Sequence, residues 1–561
     1  MPKNLAITIS GAVSLGSYEA GVLYEIIRTI QHHNGIEQDK TKKIEIDVLV
    51  GASAGGMTAA IAVQKLLFEA SSLEDPYNNS LYRAWVKDVS FDNLFNLQAG
   101  EDPTHSLLSS NHIDDISKTH ITGRYATPRA PKQEKHTAAA DVIHLGLALS
   151  NLNGVDYVRP FRTGGDFCYT RYKDKMEKKF QASNSADDTL LAWDPVRSAA
   201  LSCGAFPFAF RVKDLVRHYD DYKSSAFLPS IPKGSFPTPK RSFSYTDGGI
   251  FENEPLGMAK NLVDIVDPYH LKYHERFYLY VSPRSLASTT NSRFSEIQAS
   301  FGSTAKTIIA SIFNQARFHD WITAEQVNKQ IQILDERAAS LCQAIIAEKI
   351  DSNQLQSVSA SLLPLLFGEA QTEQTESQFR LRSQYNKEYS ELMTVCGQSV
   401  ADIWIDTILL MEKAADLGDK DEMQVFGITA SEEELASGEL AAFLGFFDQT
   451  YRDHDYDIGR TKAREFVHEI HQNEKVDLWF PHHPVNNPTA AFEPWMQIRP
   501  INNKLNGLKL EDVSNNLRKR FRDRLVDSAD KLWIEMGIAG IVRMVLNSFF
   551  IKPQLNKWLG L

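Results

Sequence analysis

Residues 51–55 read Gly51-Ala52-Ser53-Ala54-Gly55, a serine set between two small residues and two glycines. G-x-S-x-G spacing carries chemistry when a strand runs into it and a helix leaves it. The tight turn then lifts the serine Oγ off the sheet edge, and the small neighbours let strand and helix approach. The helix N-terminus points N–H groups and positive dipole at developing negative charge. Both flanks fit: residues 44–50 are an apolar run of strand length, and residues 54–70 are apolar or small at nearly every position. The bland alternative is a glycine-rich turn that only packs tightly; the flanks favour a nucleophile. A serine hydroxyl is weak at neutral pH and needs a base. Asp247-Gly248-Gly249 supplies one candidate, a carboxylate at the end of a strand expected at Phe243–Thr246, with two glycines to turn it outward. Alone, Asp-Gly-Gly is an ordinary turn; near Ser53, a buried carboxylate of raised pKa suffices as general base. The histidines offer no clear base. His468-Glu469-Ile470-His471 and His482-His483 also lack the i, i+4 spacing of a zinc helix. They read as surface or capping residues, and neither a metal nor an organic cofactor is implied.

The elements that must hold these groups follow from periodicity. Leu5–Ile9 is a first buried strand, closing at Ser10-Gly11. Gly16–Ile30 has helical spacing, Ile44–Val50 is a second strand, and 54–70 a second, well-buried helix. Strand, helix, strand, helix predicts a mainly parallel, helix-covered sheet. Further strands are expected at Asp141–Leu149 and Phe277–Val281, and a short helix at Arg197–Cys203. Two proline-bearing loops stand out, 126–136 and 227–241, the second a candidate lid. Beyond about residue 285 helical periodicity takes over, around 297–350, 378–413, 440–449 and 460–473, with a polar stretch at 371–378. The expected boundary lies at 285–295, giving a domain of residues 1–290 and a helical domain of residues 291–561.

Taken in order, these motifs resemble the patatin-like phospholipase family. Members carry a glycine-rich oxyanion loop after the first strand, a G-x-S-x-G elbow, and a D-G-G/A turn. Asp247 to Pro255 (DGGIFENEP) is similar to the last of these, and Arg197 to Pro207 (RSAALSCGAFP) resembles the family's small-residue helix ending in A-x-P. The resemblance covers about residues 5–283. It implies a three-layer α/β/α domain and hydrolysis of a fatty acyl ester, of the phospholipase A or lysophospholipase type. Ser53 and Asp247 would form a catalytic dyad. The backbone N–H groups of Gly11, Ala12, Val13 and Ala54 would form the oxyanion hole, and Gly51 and Gly55 would shape the elbow. The loop departs from the usual G-G-G-x-R/K-G: here it reads Ser10-Gly11-Ala12-Val13-Ser14-Leu15-Gly16, similar to a variant of some patatin-related subfamilies. Val13 cannot easily take positive φ. A second reading therefore stays open, a patatin-related protein that binds lipid or a partner without turnover, or one gated by a ligand.

The 561-residue chain has a formal net charge of −11, against a nucleic-acid partner. Its four cysteines (Cys168, Cys203, Cys342, Cys396) form no CxxC, which excludes a disulfide scaffold and fits a reducing, cytoplasmic setting. The N-terminus reads as a strand, not a signal peptide, and no apolar run reaches transmembrane length. Tyr451 to Arg460 (YRDHDYDIGR) is similar to a C-terminal pattern of some bacterial patatin-related proteins; Arg452, Asp455 and Arg460 are expected to form a buried ion network. The tail pairs a basic cluster at 518–524 with an apolar helix at 533–551, which fits either peripheral membrane contact or docking inside the fold.

Overall fold

A computed structural model describes residues 2–126, 134–160, 165–222, 236, 238–267, 276–283, scattered positions between 294 and 411, and residues 423–438, 442–473, 478, 480–535, 538 and 540–561. Most of the proline-rich loop at 227–241, most of the loop at 126–136, the polar stretch at 371–378 and most of the helical segments at 297–350 and 378–413 lie outside the described residues.

The chain begins with β1 (Lys3–Ile9), α1 (Gly16–Ile36), β2 (Ile44–Gly51) and α2 (Ala54–Phe68). All seven residues of β1 are buried, as in a strand covered on both faces. Then come α3 (Ser110–Ser117), β3 (Ala139–Pro160), β4 (Asp166–Gln181), α4 (Leu190–Cys203), β5 (Lys213–His218) and β6 (Lys240–Thr246). α5 (Leu256–Val266), β7 (Arg276–Ser282), β8 (Val425–Thr429) and α6 (Gln449–Gln472) follow. The strands form one mixed sheet in the order β5-β6-β3-β2-β1-β7-β8, with β4 also on β3. β1, β2 and β3 run parallel, while β4 and β6 are antiparallel to β3 and β5 is antiparallel to β6. This is the α/β class expected, with a parallel centre and an antiparallel flank. Within the flank β6 covers the strand expected at Phe243–Thr246, whereas β4, Asp166–Gln181, escaped the periodicity because it is lysine-rich and mostly exposed. Among the described residues no helix is long and apolar enough to cross a membrane.

Contacts group residues 1–259, 278–318 and 426–561 into one compact unit, and 260–277 with 319–425 into another. Residues 426–561, beyond the expected boundary, thus pack with the N-terminal strands and helices. The seam is α1 against α6. A surface helix shows one apolar stripe, but α1 is buried nearly all round, because α6 covers its other side. Two glycines allow the crossing: a Cβ on Gly21 would sit 2.1 Å from the Tyr456 carbonyl oxygen, and one on Gly459 2.2 Å from that of Tyr18. Beside this notch Arg460 Nε donates to Glu25 Oε2 at 2.9 Å, both side chains fully buried.

The expected ion network is corrected in its partners. Arg452, Asp455 and Arg460 are buried on α6, but they do not pair with one another. Arg452 donates to the carbonyls of Val86, Val89 and Gly445. Arg460 bonds Glu25 and the carbonyls of Trp495 and Gln497. Asp455 accepts from Ala436 N–H at 2.7 Å, and burial pushes its carboxyl up to about 7. Helical spacing put three charged residues on one element; the chain around α6 chose separate partners.

Candidate active site

β2 ends at Gly51 and α2 starts at Ala54, so Ser53 sits in the turn between them. Its backbone is at φ 51°, ψ −125°, left-handed territory that a side chain rarely adopts. The turn is held from both sides: Ala52 N–H donates to Ile9 O at 3.1 Å, and Gly56 N–H to Ala52 O at 3.2 Å. The flanking glycines are demanded by close approach. A Cβ on Gly51 would lie 2.4 Å from the Gly55 carbonyl, and one on Gly55 2.4 Å from the Ser10 oxygen.

β6 delivers Asp247 to the same point. Asp247 N–H donates to Ala205 O at 3.0 Å, and Thr246 Oγ1 donates to that oxygen at 2.9 Å. The A-F-P turn after α4 therefore anchors the end of β6. One carboxylate oxygen accepts from Gly249 N–H at 2.8 Å, which fixes the rotamer and turns the other toward the elbow. Ser53 Oγ donates to that Oδ2 at 2.6 Å, with Ser53 and Asp247 5% and 1% exposed. Burial pushes the Asp247 carboxyl up to about 7, against the lowering effect of the bonds from Ser53 and Gly249. No histidine hydrogen-bonds to either residue among those described.

The loop after β1 lies against this pair. A Cβ on Gly11 would touch the Ser53 Cβ at 3.0 Å. Gly11 N–H is already committed, donating to Asn253 O at 3.1 Å. The N–H groups of Ala12, Val13 and Ala54 take part in no hydrogen bond among the described residues. Of the four expected donors, three remain available and Gly11 serves to tie the loop to the segment after Asp247. Val13 does adopt positive φ, 52°, despite its branched side chain.

What holds Val13 there escaped the sequence reading. Ser14 Oγ donates to Ala442 O and accepts from Gly445 N–H at 3.1 Å, so the 442–445 turn clamps the loop from outside. That turn is carried by the phenylalanine-rich stretch before α6, and no local pattern pairs it with residue 14. Beside Ser53 lies an apolar cleft with about 50 Å³ of free space, with Val13, Ser53 and Ala54 in its wall. Trp85, Ile113, Ile116, Phe206, Phe210 and Phe446 line the rest.

The histidines do other work. His468 bonds Asn486, His482 lies 3.7 Å from Glu37, and burial lowers His483 to about 4. Among the described residues no group of three or more His, Cys, Asp or Glu side chains is placed to hold a metal ion.

Residues 7–260 match the family model described as patatin-like phospholipase. A protein of Sinorhizobium fredii (strain NBRC 101917 / NGR234), described as uncharacterized protein y4iI, is 26% identical over 328 residues. That alignment covers 46% of this chain and 45% of the relative, so the chain spans less than half of that protein's length.

Proposed function

Given that residues 7–260 belong to the patatin-like phospholipase family, whose membership carries lipid acyl hydrolysis in broad terms, we propose that this chain cleaves fatty acyl esters of glycerophospholipids with a Ser53–Asp247 dyad. The observation that carries this reading is the 2.6 Å hydrogen bond from Ser53 Oγ to a buried Asp247 carboxylate. Asp247 takes the Ser53 proton as Oγ attacks the ester carbonyl. The carbonyl oxygen becomes an oxyanion, which the N–H groups of Ala12, Val13 and Ala54 stabilise. Collapse expels the alcohol, the lysolipid, which takes the proton back from Asp247. Water then attacks the acyl-Ser53 ester, Asp247 accepts its proton, and the fatty acid leaves as Ser53 is reprotonated. A carboxyl with a pKa near 7 suits both directions of this transfer at neutral pH. The apolar wall beside Ser53 suits the first methylenes of an acyl chain, whose burial contributes roughly 0.8 kcal/mol each.

The test is product analysis on mixed phospholipids, wild type beside Ser53→Ala, with fluorophosphonate labelling of the wild type. Release of fatty acid and lysolipid by the wild type alone, with label on Ser53, supports the reading. Undiminished hydrolysis by Ser53→Ala, or label on another residue, overturns it. A folded chain that binds lipid but takes no label would favour the non-catalytic alternative.

A further inference from the structure

We propose that residues 515–561 dock this protein flat on an anionic lipid surface beside the Ser53 cleft. Among the described residues the segment holds α7 (Asn515–Glu535), α8 (Gly540–Val545), a π-helical stretch (Leu546–Ile551) that carries Phe549 and Phe550, and α9 (Lys552–Leu559). It is folded back on itself by specific bonds. Trp533 Nε1 donates to Asn547 Oδ1 at 3.1 Å, Asn547 Nδ2 donates to Asp530 at 2.9 Å, and buried Arg518 donates to Leu559 O at 2.7 Å. Yet its apolar side chains are turned out. Ile541 is 76% exposed, Phe549 73%, Met544 63% and Phe550 60%. Tertiary packing normally hides the large side chains of an amphipathic helix; an ordered segment that presents two adjacent phenylalanines to solvent has a surface to meet.

Charge selects which surface. Residues 515–561 carry nine Lys and Arg against four Asp and Glu, in a chain whose formal net charge is −11. No ion pair takes up the exposed Lys519, Lys552 or Lys557 among the described residues. A second copy meeting this patch through a two-fold axis would bring like charge against like charge. An anionic bilayer neutralises the lysines while the apolar residues enter the headgroup boundary. No described helix is long and apolar enough to cross a membrane, so the contact lies in the plane of the interface.

The segment also connects to the cleft. Arg524 of α7 donates to the carbonyls of Ser106 and Leu107 at 3.1 and 2.9 Å. Leu107 N–H in turn donates to Phe208 O at 2.8 Å. Phe206 and Phe210, on either side of Phe208, line the Ser53 cleft, and Phe208 itself is 82% exposed. For its purpose, delivering bilayer lipid to the cleft, the docking rests on the proposed lipid-hydrolase reading.

The experiment is co-sedimentation of the full chain carrying Ser53→Ala with phosphatidylcholine vesicles, with or without phosphatidylserine. Binding is expected only with phosphatidylserine. Phe549→Ser/Phe550→Ser should abolish it, and each of Lys552→Glu and Lys557→Glu should weaken it roughly fivefold or more. Soluble short-chain ester hydrolysis in the Ser53-containing protein should be unchanged by these substitutions, which also shows that the variants fold. Absence of vesicle binding, equal binding by the phenylalanine variant, or a dimer in solution that this variant dissolves would overturn the proposal. Vesicle binding without any hydrolysis by the Ser53-containing protein would sink the enzymatic reading alone. Hydrolysis of soluble esters without vesicle binding would sink the docking alone.

Discussion

In the proposed mechanism Ser53 gives its proton to Asp247, the acceptor its Oγ reaches among the described residues, and burial pushes that carboxyl up to about 7. The base form predominates above that value and falls about tenfold per pH unit below it. Hydrolysis of a soluble ester is therefore expected to rise with pH along a single limb of apparent pKa about 7, measured as kcat/KM in a series of buffers. A profile already flat from pH 5 upward would contradict Asp247 as base. Asp247→Asn should lower kcat by roughly 10²–10⁴ with little change in KM. The same shift has a stability sign. The folded carboxyl holds its proton to higher pH than the unfolded one, so its effect on stability is neutral below the unfolded value near 4. It becomes a penalty as pH rises toward and past about 7. Asp247→Asn removes that buried charge. The variant should gain on the wild type by on the order of a few kcal/mol between pH 5 and pH 8, read by denaturant melts at both. Enzymes often trade stability for a poised group in this way.

At the level of elements, the loop proposed to hold the oxyanion gets its shape from outside itself. Glycine would take φ 52° freely; Val13 takes it at a cost of about 1–3 kcal/mol and needs something to hold it. Ser14 does so, through Ala442 and Gly445. Ser14→Ala leaves a buried N–H and a carbonyl unpaired, a loss of about 1–3 kcal/mol. In the proposed mechanism the loop's N–H groups serve the oxyanion of the transition state, so kcat and the rate of fluorophosphonate labelling should fall roughly tenfold to a hundredfold with KM held. A variant that melts earlier but keeps both rates would show that the clamp is structural only. The elbow shows the same logic: Ser53 is kept at positive φ by hydrogen bonds from β1 and α2, not by its own preference.

Across the whole molecule, the C-terminal residues bear directly on the elements around Ser53. α6 crosses α1 backbone to backbone at Gly21 and Gly459, and Arg460 neutralises Glu25 in the core. Arg452 holds the chain at Val86 and Val89, and Phe446 lines the cleft. A chain ended at residue 290 would lack the arginine partners of Glu25 and would uncover the face of α1 that α6 buries. Such a fragment is expected to be insoluble or to lack near-ultraviolet circular dichroism, and to take no fluorophosphonate. A soluble 1–290 fragment labelled on Ser53 would establish the sequence boundary as a true domain boundary.

The sequence alone determined the parts of this protein whose signal is local. The elbow at Ser53, the turn at Asp247 and the first two strand–helix units are written in runs of small and apolar residues, and each lies where those runs put it. The family resemblance, not local chemistry, marked residues 10–16 as a loop expected beside Ser53. Tertiary structure decided the rest, because the rest consists of contacts between residues far apart in the chain. Nothing near Gly11 says that its N–H is spent on Asn253. Nothing near Ser14 points to Ala442, 428 positions away. Arg460 advertised an ion pair, but only the crossing of α1 and α6 chose Glu25 over Asp455. The lysine-rich β4 hid from periodicity because an exposed strand carries little apolar pattern to read. Spacing along a chain reports what one element can do; the partner that a buried polar group finds depends on which distant backbone folds against it.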